Sequence, residues 1–272
     1  MGAFLSLDFL NLDLIDMQKY KTKKRFGQHF LHDQGIIQKL VHEINPKHDD
    51  QIVEIGPGLG ALTFPLLEKI DAISVVEIDR DVIQRLKLKK LDSLTIHEQD
   101  ALTFNFDQLS DDKGLRVVGN LPYNISTPLI FHLLESASQI KDMHFMLQNE
   151  VVERITAGPG SKTYGRLSVM VQYYCESEYL FFVGPESFSP PPKVDSAILR
   201  LIPKDKTLRK AENEKNLEKV VAQAFSMRRK TLRNNLKKMI SAEQIETLGI
   251  DPGARAETLA VDDFVKLSNL LS

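Results

Sequence analysis

From Gln51 onward, short apolar, β-branched runs alternate with stretches whose apolar residues recur every three or four positions. QIVEIG, AISVVEI, LTIHEQ, RVVGNLP and DMHFMLQ read as strands; LTFPLLEKI, RDVIQRLKLKK and TPLIFHLLESA read as amphipathic helices between them. This alternation predicts an α/β chain with a mainly parallel, doubly wound sheet, whose ligands bind outside the carboxyl ends of the strands. AGPGSKTYG, rich in glycine and proline, is expected to be a mobile loop, and LSVMVQYYC, EYLFFVG and SAILRLIP after it are expected to close the sheet. PKDKTLRKAENEKN has almost no apolar content and reads as a linker. The helical spacing in LEKVVAQAF, TLRNNLKKMI, SAEQIETLG and VDDFVKLSNLL then predicts a small all-helical unit. The expected division is an extension over residues 1–16, a ligand-binding domain over 17–203 and a helical domain over 204–272.

Composition adds little. At 42% hydrophobic residues the chain can bury a large core, and 35 basic against 37 acidic residues leave bulk charge neutral on a polyanionic partner. The single cysteine, Cys175, forms no internal disulfide, and no Cys/His set has zinc spacing, so a reducing cytoplasmic compartment and no metal are expected. GAFLSLDFLNLDLI is apolar but carries acids and lacks the basic start of a signal or transit peptide; Met17 is an alternative start. No run approaches the ~20 apolar residues of a membrane span. The expectation is a monomer with no membrane partner.

Polar groups collect at four predicted strand ends. VEIGPGLGALT puts Gly56, Gly58 and Gly60 where a strand turns into a helix, letting a ligand approach the main chain. Glu77 ends the next strand, 21 residues after Gly56, where a carboxylate is suited to both hydroxyls of a ribose. Together they indicate a nucleoside cofactor without saying which, since the glycine pattern also fits dinucleotides; a turn made only for packing is the competing reading. Asp100 ends the third strand and is suited to an adenine amino group, or equally to capping a helix. Ile78 and Ala101 sit beside these carboxylates and complete the expected cofactor lining.

The fourth strand ends in Asn120, Leu121, Pro122 and Tyr123. Asn and Pro sit poorly inside strands, so these groups have a purpose at the crevice, unless Tyr123 is a core plug behind a plain turn. An exocyclic adenine amine is a poor nucleophile because its lone pair is conjugated into the ring. If the Asn120 side-chain oxygen and the Leu121 carbonyl accept its two hydrogens, the nitrogen turns tetrahedral and presents that lone pair. Pro122 stiffens the turn, and Tyr123 offers a face on which a flipped-out base stacks. Such orientational catalysis needs neither metal nor acid–base pair, and the sulfonium methyl of S-adenosylmethionine is the electrophile that suits it.

Three other segments point to RNA. KYKTKKRFGQHFL begins with five basic residues between Lys19 and Arg25. ESFSPPPKVDSAILRL is expected to hold Phe188 on a proline-stiffened arm, as the second side of a stacking clamp. AFSMRRKTLRNNLKKM carries Arg228, Arg229, Lys230, Arg233, Lys237 and Lys238 without an acid; Arg229, Arg233 and Lys237, four apart, are expected on one helix face as a stripe for a phosphate backbone. Solvated charge and packed aromatics are the bland alternatives.

RFGQHFL, VEIGPGLGALT, VVEIDRD, QDAL, GNLPYNIS, FSPPPKVDSA and AFSMRRKTLRNNL, in this order, resemble the bacterial small-subunit ribosomal RNA adenine N6-dimethyltransferases, from about Lys23 to the end of the chain. The resemblance implies a Rossmann-like class I methyltransferase domain followed by a helical domain. It implies transfer of four methyl groups from S-adenosyl-L-methionine, leaving S-adenosyl-L-homocysteine, to N6 of two adjacent adenosines near the 3′ end of 16S rRNA, in the small subunit or its precursor. The family's cofactor contacts fall on His29, Leu31, Gly56, Glu77, Asp100 and Asn120, with Gly58 in the same turn, and its base contacts on Asn120, Leu121, Tyr123 and Phe188. His29 departs from the family pattern, where Asn is common; a main-chain contact would survive the change and a side-chain amide contact would not. The competing readings are a non-enzymatic assembly or transcription factor on this fold, a large-subunit rRNA methyltransferase, a DNA adenine methyltransferase and a nicotinamide dehydrogenase.

Overall fold

The structure is a computed structural model that describes residues 28–110 and 112–271. The basic run Lys19–Arg25 and the extension 1–16 lie outside the described residues. Seven strands form the main sheet: β2 (Gln51–Ile55), β3 (Ile73–Glu77), β4 (Leu94–Glu98), β5 (Leu115–Asn120), β6 (Ile140–Gln148), β7 (Cys175–Val183) and β9 (Ser196–Pro203), in the order β4-β3-β2-β5-β6-β9-β7. β2 through β6 pair in parallel. A separate two-stranded ribbon pairs β1 (Phe30–Leu31) antiparallel with β8 (Phe188–Ser189).

The chain divides into two compact units: residues up to Gln148 with Phe182–Ile198, and Asn149–Phe181 with Leu199 onward. In the first, β2 and β5 are buried almost throughout because parallel strands in mid-sheet are covered on both faces. From β2 the chain winds outward through α2 (Thr63–Leu67) to β3, and through α3 (Arg80–Leu88) to β4, then returns to β5 on the other side of β2. Strand order therefore reverses between β2 and β5, the position where doubly wound sheets bind ligands. Gly119 lets the two strand ends close up, since a Cβ there would lie 2.5 Å from the Ile55 carbonyl oxygen. At the opposite end of β5, buried Arg116 donates to both Asp142 oxygens, to Asp50 at 2.6 Å and to the Ile44 carbonyl at 2.6 Å.

The second unit corrects four sequence expectations. LSVMVQYYC does not extend the sheet: α6 (Arg166–Tyr174) covers it and only Cys175 enters β7. Its buried face includes Leu167, Val169, Met170, Val171 and Tyr173, and a helix buried nearly all round has the same apolar run as a buried strand. The glycine-rich segment before it is tied down, with Tyr164 buried and the Gly160 amide donating to the Glu257 carbonyl at 2.7 Å. PKDKTLRKAENEKN is no free linker. Lys204 donates to the Gln172 carbonyl at 2.7 Å, Arg209 lies over the Tyr174 ring, and Asn213 caps α7 (Glu214–Ala224), so this polar segment is held by hydrogen bonds and cation–π contact rather than apolar burial. The two compact units divide at 148/149, 181/182 and 198/199, where the expected boundary stood at 203/204.

The basic stripe also differs. Helix α8 spans only Leu232–Leu236, so of the three expected stripe residues Arg233 alone is helical; Lys237 is its C-cap and Arg229 lies in the preceding turn. Asn235 causes the break: its buried side-chain amide donates to the Ala224 carbonyl at 2.7 Å and the Met227 carbonyl at 3.2 Å, holding a turn between α7 and α8. Arg228, Arg229, Lys230, Arg233, Lys237 and Lys238 are all exposed. Arg228 donates to the Lys162 carbonyl at 2.6 Å.

Candidate active site

The glycine turn leaves β2 with Gly56 at φ +66° and Gly58 at φ +54°, in the left-handed region, and a Cβ on Gly58 would come within 3.0 Å of the Phe30 ring. The main chain is thus bare where β2 ends. Glu77 closes β3 beside it, one oxygen accepting the Ile78 and Asp79 amides at 2.8 Å each. Burial pushes its carboxyl above the usual range, and the amides of Asp79, Ile78 and Gly58 pull it part of the way back. Ile78 is 49% exposed, an apolar plate at a strand end. Asp100 accepts the Leu102 amide at 2.9 Å, as a capping carboxylate does, and Ala101 is buried.

Asn120 stands across the crevice, at the end of β5. Its Nδ2 donates to the His29 carbonyl at 3.0 Å, which turns Oδ1 the other way. Leu121 is buried and its amide donates to the Met146 carbonyl at 3.2 Å, while the Pro122 carbonyl accepts the Ile125 amide at 3.1 Å and starts α4 (Ser126–Glu135). The Tyr123 hydroxyl shares a 2.8 Å hydrogen bond with Ser196, and burial pushes its phenol up. Its ring lies nearly parallel to that of His29, the centroids 6.1 Å apart. Phe188 is placed otherwise than expected: it is 2% exposed and paired with Leu31 in the ribbon, so it presents no free face in this arrangement. Ribbon pairing and an apolar ring favour burial over an extended arm.

The family profile described as ribosomal RNA adenine dimethylase matches residues 19–272. The chain belongs to the ribosomal RNA adenine dimethylase family. It is 57% identical to ribosomal RNA small subunit methyltransferase A of Alcanivorax borkumensis over 256 residues, covering 93% of this chain and 91% of that protein. It is 56% identical to the protein of the same name from Chromobacterium violaceum, covering 94% and 97%. Among solved structures, a dimethyladenosine transferase from Plasmodium falciparum superposes with TM-score 0.75 at 30% identity, covering 88% of this chain and 96% of that one. The 23S rRNA methyltransferase ErmE follows at TM-score 0.71 and 25% identity, covering 89% and 99%. As a ribosomal RNA adenine dimethylase the chain is an S-adenosylmethionine-dependent methyltransferase acting on rRNA, with the Rossmann-like class I fold and a helical C-terminal region. The dehydrogenase, DNA methyltransferase and non-enzymatic readings are set aside by that membership.

The donor set fits the cofactor of this family: a buried carboxylate for a ribose, an exposed apolar Ile78 for a purine face, a second carboxylate at Asp100 and bare main chain at the glycine turn. Among the described residues no cluster of three or more His, Cys, Asp or Glu is arranged to hold a metal, and no helix is long and apolar enough to cross a membrane.

Sequence reasoning missed the residues that hold the site in place. Ser196, fully buried, anchors Tyr123; Gln28 donates to Asp79 at 2.9 Å; Ser187 donates to Asp33, the N-cap of α1 (Gln34–Ile44), at 3.2 Å. Glu54 is a fourth, buried in β2 with Thr63 donating to it at 2.5 Å, and burial pushes its carboxyl up to about 7. A charge inside the apolar run QIVEI was the available signal; Ser196 gave none.

Proposed function

We propose that the chain transfers methyl groups from S-adenosylmethionine to N6 of two adjacent adenosines near the 3′ end of 16S rRNA, four in all, in the small subunit or its precursor, acting as a cytoplasmic monomer. Relatives named small subunit methyltransferase A at 53–57% identity, against 25% for the 23S enzyme, support the small-subunit assignment. The observation that carries the chemistry is the Asn120 amide, whose nitrogen is committed to the His29 carbonyl and whose oxygen is thereby fixed toward the other side. Bound S-adenosylmethionine supplies a sulfonium methyl, an electrophile needing no acid catalyst. Gly56, Gly58, Glu77, Ile78 and Asp100 would hold it, with the His29 main chain, Leu31 and Ala101 lining the same side.

Across the crevice, Asn120 Oδ1 and the Leu121 carbonyl accept the two hydrogens of the adenine amine and turn its lone pair out of the ring plane. Tyr123, held by Ser196, stacks on the extruded base. With Asn120 and Leu121 holding the amine this way, the bound cofactor would supply the methyl group and the resulting cationic amine would lose its proton to water. Arg228, Arg229, Lys230, Arg233 and Lys237 pair with RNA phosphates. Incubation with labelled cofactor and immature small subunits, followed by RNA digestion, tests this: dimethyladenosine from two adjacent 16S positions is expected, and its absence rejects the reading.

A further inference from the structure

His29 meets three residues of the base side, Asn120, Tyr123 and Pro190. Its carbonyl accepts Asn120 Nδ2 at 3.0 Å, its ring Nδ1 bonds the Pro190 carbonyl at 2.7 Å, and its ring face lies against Tyr123. A carbonyl accepts only, so Nδ1 carries the hydrogen and the imidazole is fixed as donor to the proline segment. The neighbours show what an anchor adds there: β1, the next element, is two residues long, paired with Phe188 and Ser189, and the His32 amide adds a bond to the Ser187 carbonyl at 3.0 Å. So short a ribbon holds a backbone weakly, yet the carbonyl that orients Asn120 belongs to the residue just before it.

We propose that His29 is a positioning residue for the methyl-transfer reaction, its Nδ1–Pro190 hydrogen bond fixing the backbone carbonyl that orients Asn120. The inference rests on the amine-orienting role of Asn120. The Tyr123 contact is secondary, since a ring 6.1 Å away touches it only at the edge of stacking distance. The side chain does not touch the reacting atoms, so its loss lowers turnover by loosening Asn120, while Glu77 and the glycine turn keep their hold on the cofactor.

Three variants separate the hydrogen bond from the ring: His29→Ala removes both, His29→Asn keeps an N–H donor of similar reach, and His29→Phe keeps the ring alone. Methyl transfer to immature small subunits and calorimetric binding of S-adenosylhomocysteine are measured for each. The expected result is a fall in kcat of about tenfold or more for His29→Ala and His29→Phe, recovery to within about threefold in His29→Asn, and cofactor affinity changed less than about threefold throughout. Wild-type kcat in His29→Ala, recovery by His29→Phe but not by His29→Asn, or a fall in turnover matched by an equal fall in cofactor affinity each overturns it. Asn120→Ala run alongside keeps the two ideas apart: full activity there rejects the role of Asn120, whereas an inactive Asn120→Ala with an active His29→Ala rejects only the role of His29.

Discussion

At the scale of single residues, Asn120 Nδ2 is already taken by the His29 carbonyl, so what a substitution removes is the oxygen. Asn120→Ala is expected to lower kcat by about 10²–10³-fold, the cost of losing one preorganised polar partner in a transition state, while S-adenosylhomocysteine affinity by calorimetry changes less than about threefold. Tyr123→Ala is expected to reduce kcat/KM for the RNA substrate by roughly 1–3 kcal/mol of stacking energy, and Tyr123→Phe, which removes only the Ser196 bond, by less. Glu54 gives a pH signature. Its folded-state carboxyl titrates at about 7 against an ordinary 4.5, so between those values the folded chain keeps a proton that the unfolded chain has released. Stability therefore falls as pH rises through this window, by on the order of 3 kcal/mol. Urea unfolding of the wild type from pH 4.5 to 8 should show the decline, and Glu54→Gln should flatten it.

At the scale of elements, the parallel strands were legible because burial on both faces leaves an unbroken apolar signal, as in VVG of β5. The same property hid α6, whose all-round burial erases the polar stripe that marks a helix. The strand-end residues Glu77, Asp100 and Asn120 were legible because polar groups interrupt apolar runs there. Their supports were not: Ser196 and Pro190 act across the fold, through contacts with no sequence spacing to reveal them. The basic tail failed as a stripe because Asn235 bonds the last carbonyl of α7, that of Ala224, and the Met227 carbonyl in the turn after it, which holds the chain out of helical register there. Charge held inside the sheet makes its own prediction. Arg116→Met strands Asp50 and Asp142 without their shared partner, and chemical denaturation should show a loss of about 3–5 kcal/mol.

At the scale of the whole molecule, neutral bulk charge hides a concentrated basic segment among the described residues, six exposed cations between Arg228 and Lys238. Replacing Arg229 and Arg233 with alanine is expected to weaken binding to immature subunits and lower the slope of log affinity against log salt by about 2, one for each phosphate that no longer has a cationic partner. Methyl transfer to the particle should fall with that affinity, while S-adenosylhomocysteine binding stays as in the wild type. The central claim is about where one amide oxygen points when both substrates are present. A crystal structure of the chain with S-adenosylhomocysteine and adenosine tests it most directly. Asn120 Oδ1 and the Leu121 carbonyl are expected at about 2.7–3.2 Å from the adenosine N6, with Nδ2 still on the His29 carbonyl. An Asn120 side chain turned away from N6, with the base seated and the cofactor product bound, would contradict the account.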